Sequence, residues 1–476
     1  MPHSLSCGIA VIKDGVSLPT GGIRNGSETP AAPLIDASNQ GGGASLAMSI
    51  DYPSVSSCLP ANHQLESWDL HDYLRRITKN STYKRPAPRI AVLVADRWPR
   101  QPDVMGVMFD AAFSTALTGN SPTYTRVPRE GCALFVDAIR DIRPEDDDFE
   151  RELYWTCVHE LSHVFNLWHD ASVSNFLASP DRNGPTKAFR FTNEHKRFLA
   201  DCESSDVYPG GNDFGIRRSG FPGGAPDEND VNSRESRRRL RLRIGVGQPE
   251  LAFFEPLELD ISLVSEAPTA RVPARLDPGY SEFAIWVEQP DGTRRRYSPQ
   301  RRYCGTSAEI TLESRRPFRR DISLFLDSEG FTFRMRGEHR VYATFRLPDG
   351  SVLRSNSVSV NVRGRYGKSS FAELVQRRLV HPETARFLYH RGGHFPRRVI
   401  GGLTDLSRRS RDEVLRSNLI YALGRYQARR SERAQEKQTR RTLRESAIDL
   451  LSRSAASARL SEGRLRNAEA ALERLR

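Results

Sequence analysis

His159-Glu160-Leu161-Ser162-His163-Val164-Phe165-Asn166-Leu167-Trp168-His169-Asp170 is the stretch on which the reading of this chain turns. Apolar residues recur before and through it at Leu153, Tyr154, Cys157, Val158, Leu161, Val164 and Phe165, which predicts a helix over 151–168. The acidic lead-in of Glu145, Asp146, Asp147, Asp148 and Glu150 suits a helix N-terminus, where the macrodipole favours negative charge. His159 and His163 are four apart, so a helix stacks both imidazoles on one face, one turn from each other. Two imidazoles so placed can share one tetrahedral Zn²⁺, whose nitrogen ligands sit at about 2.0–2.1 Å. A third histidine, His169, can join only if the chain turns back after His163. Asn166 is the residue there that best tolerates positive φ. Three neutral nitrogens and one open position describe a catalytic zinc geometry, whereas structural zinc sites are closed. Glu160 lies beside the first ligand, in reach of a water at the fourth position.

Outward from this segment, 90–95 and 131–136 are short β-branched runs that fit buried strands. Residues 105–117 between them read as either a helix or a structured connection, and 70–78 as a helix. Downstream, 193–202 reads as another helix with Asn193 as its N-cap. His195 within it reads as a surface residue, and Cys157 on the central helix as a buried small hydrophobe. Residues 1–50 are rich in Gly, Ser and Pro and predict a flexible, low-complexity leader. Residues 216–248, with Gly223-Gly224 and a basic run at 237–243, read as a linker. From 249 to 363 the pattern becomes short alternating runs, with Asp291-Gly292 and Asp349-Gly350 as hairpin turns. An all-β, immunoglobulin-like sandwich is the expectation there. Residues 364–476 predict an all-α region of amphipathic helices, as at Val414, Leu415, Leu419, Ile420 and Leu423.

The central residues resemble the metzincin metallopeptidases, whose extended motif runs H-E-x-x-H-x-x-G-x-x-H ahead of a methionine-bearing turn. All three histidines and Glu160 match, Asn166 stands where glycine is usual, and Asp170 is similar to the reprolysin-like branch. The resemblance covers 85–215 and implies an α+β, zincin-like catalytic domain over 51–215 of a multidomain chain. It implies that His159, His163 and His169 hold one catalytic Zn²⁺, that Glu160 is the general base, and that polypeptide is the substrate. It further implies that Gly131, Cys132, Ala133, Leu134 and Phe135 form the sheet edge to which substrate adds as a strand. The methionine turn falls by position at 176–180, where Ala178 or Leu177 replaces Met; the methionine downstream of the motif is Met335. Asp170 either fixes the loop after His169 by accepting a hydrogen bond or is a plain solvated carboxylate. Loop 176–180 and helix 193–202 are expected to shape the pocket for the side chain after the cut.

The chain has 476 residues, with 71 Lys+Arg against 59 Asp+Glu. That length allows two to four domains, and no apolar run approaches the roughly 18–20 residues of a membrane span. Six cysteines at 7, 58, 132, 157, 202 and 304 make no CxxC pair and no disulfide framework. No secretory signal is visible, so a cytoplasmic location is the default expectation, with non-classical export compatible with it. Residues 363–476 hold 27 Lys+Arg and 12 Asp+Glu, while the other 362 residues hold 44 and 47. The basic surplus therefore sits in the C-terminal quarter. It is compatible with an anionic partner or nucleic acid and equally with the solvated side of ordinary helices. The expected function is zinc-dependent peptide-bond hydrolysis. The alternative is a catalytically inactive zinc-binding interaction protein with a basic partner- or nucleic-acid-binding tail.

Overall fold

The computed structural model describes residues 3–11, 32–40, 46–51, 89–98, 102–109, 114–118, 121–125, 129, 131–169, 175–178, 190–209, 211–212, 214, 240–251, 255–280, 282–299, 301–305, 309–314, 316–327, 330–333, 335–363, 378–390, 395, 397–457, 460 and 462–476. Strands read as continuous apolar runs when both their faces are covered. Three such strands, Arg89–Ala95, Gly131–Phe135 and Val104–Phe109, lie inside a six-stranded sheet. Across that sheet the order is Arg301–Gly305, Val104–Phe109, Gly131–Phe135, Arg89–Ala95, His3–Val11, Leu46–Asp51. Pairing is parallel from Gly131–Phe135 out to Leu46–Asp51. Val104–Phe109 runs antiparallel to Gly131–Phe135, and Arg301–Gly305 runs antiparallel to Val104–Phe109. Helices Val136–Ile142 and Asp146–Val164 follow the Gly131–Phe135 strand, and the longer one packs on that strand and on Val104–Phe109. Phe109, Phe135, Trp155, Val158 and Leu161 share the resulting core.

Two expectations change in this unit. The flexible leader over 1–50 contains strand His3–Val11, paired on both sides, helix Ala32–Gln40 and the start of strand Leu46–Asp51. Gly and Ser lower intrinsic strand preference, and pairing in the sheet overrides it. Residues 105–117 resolve into strands Val104–Phe109 and Ser114–Thr118, the second forming a hairpin with Ser121–Thr125. The helix expected at 70–78 lies outside the described residues.

The middle of the chain is β-rich. Strands Phe318–Leu324, Leu257–Ser265 and Leu240–Val246 make one antiparallel sheet. Arg294–Arg296, Phe283–Glu288, Gly337–Arg346, Val358–Val362 and Glu250–Leu251 lie in order across a second. Leu242, Leu259 and Ile261 from the first share a core with Ile285, Val287, Val341 and Phe345 from the second. The expected linker over 216–248 therefore ends in a strand. Leu240, Leu242 and Ile244 point inward while Arg241 and Arg243 are exposed, so these two arginines of the basic run lie on the outer face of a period-two pattern. Both expected hairpins form, with Gly292 and Gly350 at φ of 81° and 80° in their turns.

The C-terminal region is helical: Pro382–His390, Arg397–Arg409, Glu413–Arg433, Lys437–Ala455 and Glu462–Leu475. Asp412 caps the third by accepting from the Val414 and Leu415 amides at 3.0 and 3.1 Å. Among the described residues no helix is long and apolar enough to cross a membrane.

Candidate metal centre

Helix Asp146–Val164 carries Asp146, Asp147 and Asp148 in its first turn and buries its last three turns completely. His159, Glu160 and His163 all lie in that buried part. Trp155 covers the His159 ring, centroid to centroid at 4.7 Å. The helix closes at Asn166, whose φ is +62°. There the Asn166 and Leu167 amides donate back to the His163 and Ser162 carbonyls at 2.9 and 3.0 Å. Asn166 also donates from Nδ2 to the Asp206 carbonyl at 2.8 Å, and this reversal returns His169 to the first two histidines.

The Nε2 atoms of the three rings are 3.0, 3.1 and 3.2 Å apart. Three nitrogens bound to one tetrahedral zinc at about 2.0–2.1 Å stand about 3.3 Å from one another, so the spacing fits such an ion. The opposite ring nitrogens fix the tautomers. His159 donates from Nδ1 to the Phe176 carbonyl at 2.6 Å, and His163 donates from Nδ1 to the Leu167 carbonyl at 2.7 Å. Each Nε2 lone pair is thereby turned to the common point. Burial holds His163 well below the ordinary imidazole range, with the neighbouring His169 adding to it. Burial also pushes His169 down to about 4, helped by Arg275. His163 and His169 are therefore neutral near pH 7, the form that binds a metal. It could hold a metal ion.

Strand Val104–Phe109 passes so close to Glu160 that a Cβ at Gly106 would overlap the carboxylate. The described part of the expected methionine turn over 176–180, Phe176 to Ala178, meets the site through the Phe176 carbonyl. Leu177 is buried and Ala178 partly buried against the same core. Asp170 lies outside the described residues. Gly131–Phe135, expected as the substrate-accepting edge, is an interior strand, buried throughout and paired with Arg89–Ala95 and Val104–Phe109. An apolar run identifies a covered strand without telling a central one from an edge one, and here the outer neighbour is Val104–Phe109. The N-cap of helix Asn193–Asp201 is Thr192, whose hydroxyl accepts from the His195 amide, not Asn193. His195 is buried, not on the surface, its ring 5.5 Å from that of Trp168. Cys157 is fully buried, as expected.

Two contributors carried no sequence signal. Arg129 has φ +58° and a fully buried side chain that donates to the carbonyls of Val164, Val207, Tyr208 and Asn212. It ties the end of the three-histidine helix to the segment that holds Asn166. Phe214 meets the His163 ring edge-on at 5.4 Å. Both act from far along the chain, on backbone carbonyls or a ring face, which no local motif encodes.

No protein-family model matches the chain, and no curated protein matches it. Among solved structures, catalytically inactive OgpA from Akkermansia muciniphila, in complex with an O-glycopeptide (glycodrosocin) substrate, is similar over 76% of this chain and 93% of that one. The identity is 10% and the TM-score 0.21. A β-glucosidase from Listeria innocua is similar over 77% of this chain and 47% of that one, at 9% identity and a TM-score of 0.18. The sporulation control protein Spo0M from Bacillus subtilis is similar over 30% of this chain, at 8% identity and a TM-score of 0.18; the chain spans about half (54%) of that protein. Scores this low carry no argument about fold or function.

Proposed function

We propose that the chain is a zinc-dependent endopeptidase of metzincin type, with a zincin-like N-terminal unit followed by an immunoglobulin-like sandwich. The observation that supports it is the convergence of three Nε2 atoms on one point, those of His159 and His163 fixed in tautomer, with Glu160 adjacent to the first ligand on the same helix. His159, His163 and His169 would hold the ion, and zinc suits three imidazoles best among common divalent metals. When bound, zinc would supply Lewis acidity, lowering the pKa of a water and polarising the scissile carbonyl. Glu160 takes the proton from the attacking water and passes it to the leaving amine nitrogen. Gly106, having no side chain, leaves the Glu160 carboxylate the room it needs. Trp155 and the Phe176 carbonyl hold the His159 ring in its orientation.

The test is mass-spectrometric cleavage of a diverse peptide library by wild type and Glu160→Ala, each with and without a zinc chelator, alongside zinc content per chain. One zinc per chain, with cuts that vanish on both chelation and mutation, is the expected result. Cuts that survive either treatment overturn the proposal. The burial of Glu160 favours a second reading, a zinc-stabilised interaction protein. Bound zinc without Glu160-dependent cleavage from any form of the chain would select it.

A further inference from the structure

Strand Arg301–Gly305 belongs by sequence to the β-rich middle of the chain, yet it is hydrogen-bonded into the N-terminal sheet. It lies antiparallel on Val104–Phe109, with Arg301 opposite Phe109, Arg302 opposite Met108, Tyr303 opposite Val107 and Cys304 opposite Gly106. The register slips between Cys304 and Gly305, which faces Val104. Gly106 is the residue against which Glu160 packs. The chain's own strand therefore runs past Glu160, along the line an extended polypeptide would follow if it added to this edge.

The strand is held on both faces of the sheet: by Tyr303 on the face away from Glu160, and by Arg302 on the face that Gly106 turns to Glu160. Tyr303 is buried, its ring 5.6 Å from Trp98 and 5.1 Å from Tyr280, and its amide donates to the Gly279 carbonyl at 3.1 Å. Arg302 donates to the Pro278 carbonyl at 3.0 Å and to Ser298 Oγ at 2.7 Å. Its guanidinium lies 5.7 Å over the ring of Phe214, which in turn abuts His163. On that face His159 and Glu160 are 0% exposed and His163 1%, while His169 is partly exposed.

Resting on the peptidase reading, we propose that Arg301–Gly305 is an internal occupant of the peptide-binding edge. The chain in this conformation is latent, and Val104–Phe109 accepts an extended polypeptide only when that strand leaves. Exchange is feasible because an incoming peptide replaces the main-chain hydrogen bonds of the departing strand. What it does not replace is the burial of Tyr303, which sets the barrier. The slipped register beside Gly106 leaves the ladder weakest at the end nearest Glu160.

The test uses Val107→Cys/Tyr303→Cys in a Cys304→Ser background of the full, zinc-loaded chain. The Tyr303 amide points to Gly279, away from Val107, so these two positions form the closer, non-hydrogen-bonded kind of pair, suited to a disulfide. Oxidised, the variant is locked; reduced with a phosphine, it lacks the Tyr303 ring and the strand is loosened. An open state populated at about 0.1–10% gains about ten- to a thousandfold on full release, and cleavage of the library should rise by that order from oxidised to reduced. Amide hydrogen exchange across Val104–Phe109 should rise in parallel. Tyr303→Ala alone should behave like the reduced form, and a synthetic peptide of residues 299–307 should inhibit it. Equal cleavage by the locked and reduced forms overturns the proposal and leaves the peptidase reading standing. Unchanged exchange in Val104–Phe109 also overturns it, because the strand then does not leave. A folded, zinc-loaded reduced form with fast exchange and no cleavage overturns both.

Discussion

Asn166 must do two things at one residue: hold φ at +62° and give the buried Asp206 carbonyl a donor. Left-handed backbone costs an ordinary side chain about 1–2 kcal/mol, and a buried acceptor stripped of its partner costs about 1–3 kcal/mol. Asn166→Ala incurs both losses, so it should cost about 2–5 kcal/mol of unfolding free energy and loosen zinc through a displaced His169. Asn166→Gly loses the bond but keeps the backbone free of strain, and should cost about 1–2 kcal/mol less than Asn166→Ala. Urea unfolding and a competitive zinc titration of both variants check this; equal loss in the two would show that conformation is not what Asn166 supplies. The histidine spacing was legible because a helix converts a gap of four into one face. The carbonyls of Phe176 and Leu167 that orient the rings were not, because a backbone acceptor carries no residue identity.

Among the elements, the strands that touch the site were readable as strands and unreadable as neighbours. Gly131–Phe135 and Arg89–Ala95 have the apolar runs of covered strands, but nothing in them says which side Val104–Phe109 takes. The same holds for helix Glu462–Leu475, whose docking on the sheet of Leu257–Ser265 is electrostatic. Arg466 donates to both Asp260 and Asp321 at 2.6 Å. Burial, aided by the adjoining Asp321, outweighs the pull of Arg466 and raises the Asp260 carboxyl to about 6. Unfolded, it titrates near the ordinary 3.8. The folded chain therefore binds more protons between those values. The contribution favours the fold below about pH 4 and is lost as pH rises through about 6. Asp260→Asn removes that loss while Asp321 keeps Arg466 paired. Its melting temperature relative to wild type should rise between pH 4.5 and pH 7.5. Melts across that range decide it, and a constant difference would mean that Asp260 does not titrate in the folded chain.

At the scale of the whole molecule, the order of a mixed α/β unit, a β-rich middle and a helical C-terminal region follows from local patterns, period two against 3.6. What local pattern could not show is that these regions interlock. Arg301–Gly305 leaves the middle to pair with the N-terminal sheet, and Glu462–Leu475 packs on the middle through arginines that looked like free surface charge. Part of the basic surplus is spent on the molecule's own carboxylates: Arg464 donates to Glu258 at 2.8 Å, with side-chain exposures of 4% and 8%. A pair so dry pays for desolvation with mutual attraction, and removing one partner strands the other charge. Arg464→Met should therefore destabilise the chain by about 3–5 kcal/mol, and Arg464→Met/Glu258→Met should recover most of that loss. Denaturant unfolding of wild type, both single variants and the double closes the cycle. A double variant as unstable as the sum of the singles would show that Arg464 stabilises this junction through its stem and its bond to Asn418, with no part played by the charge on Glu258.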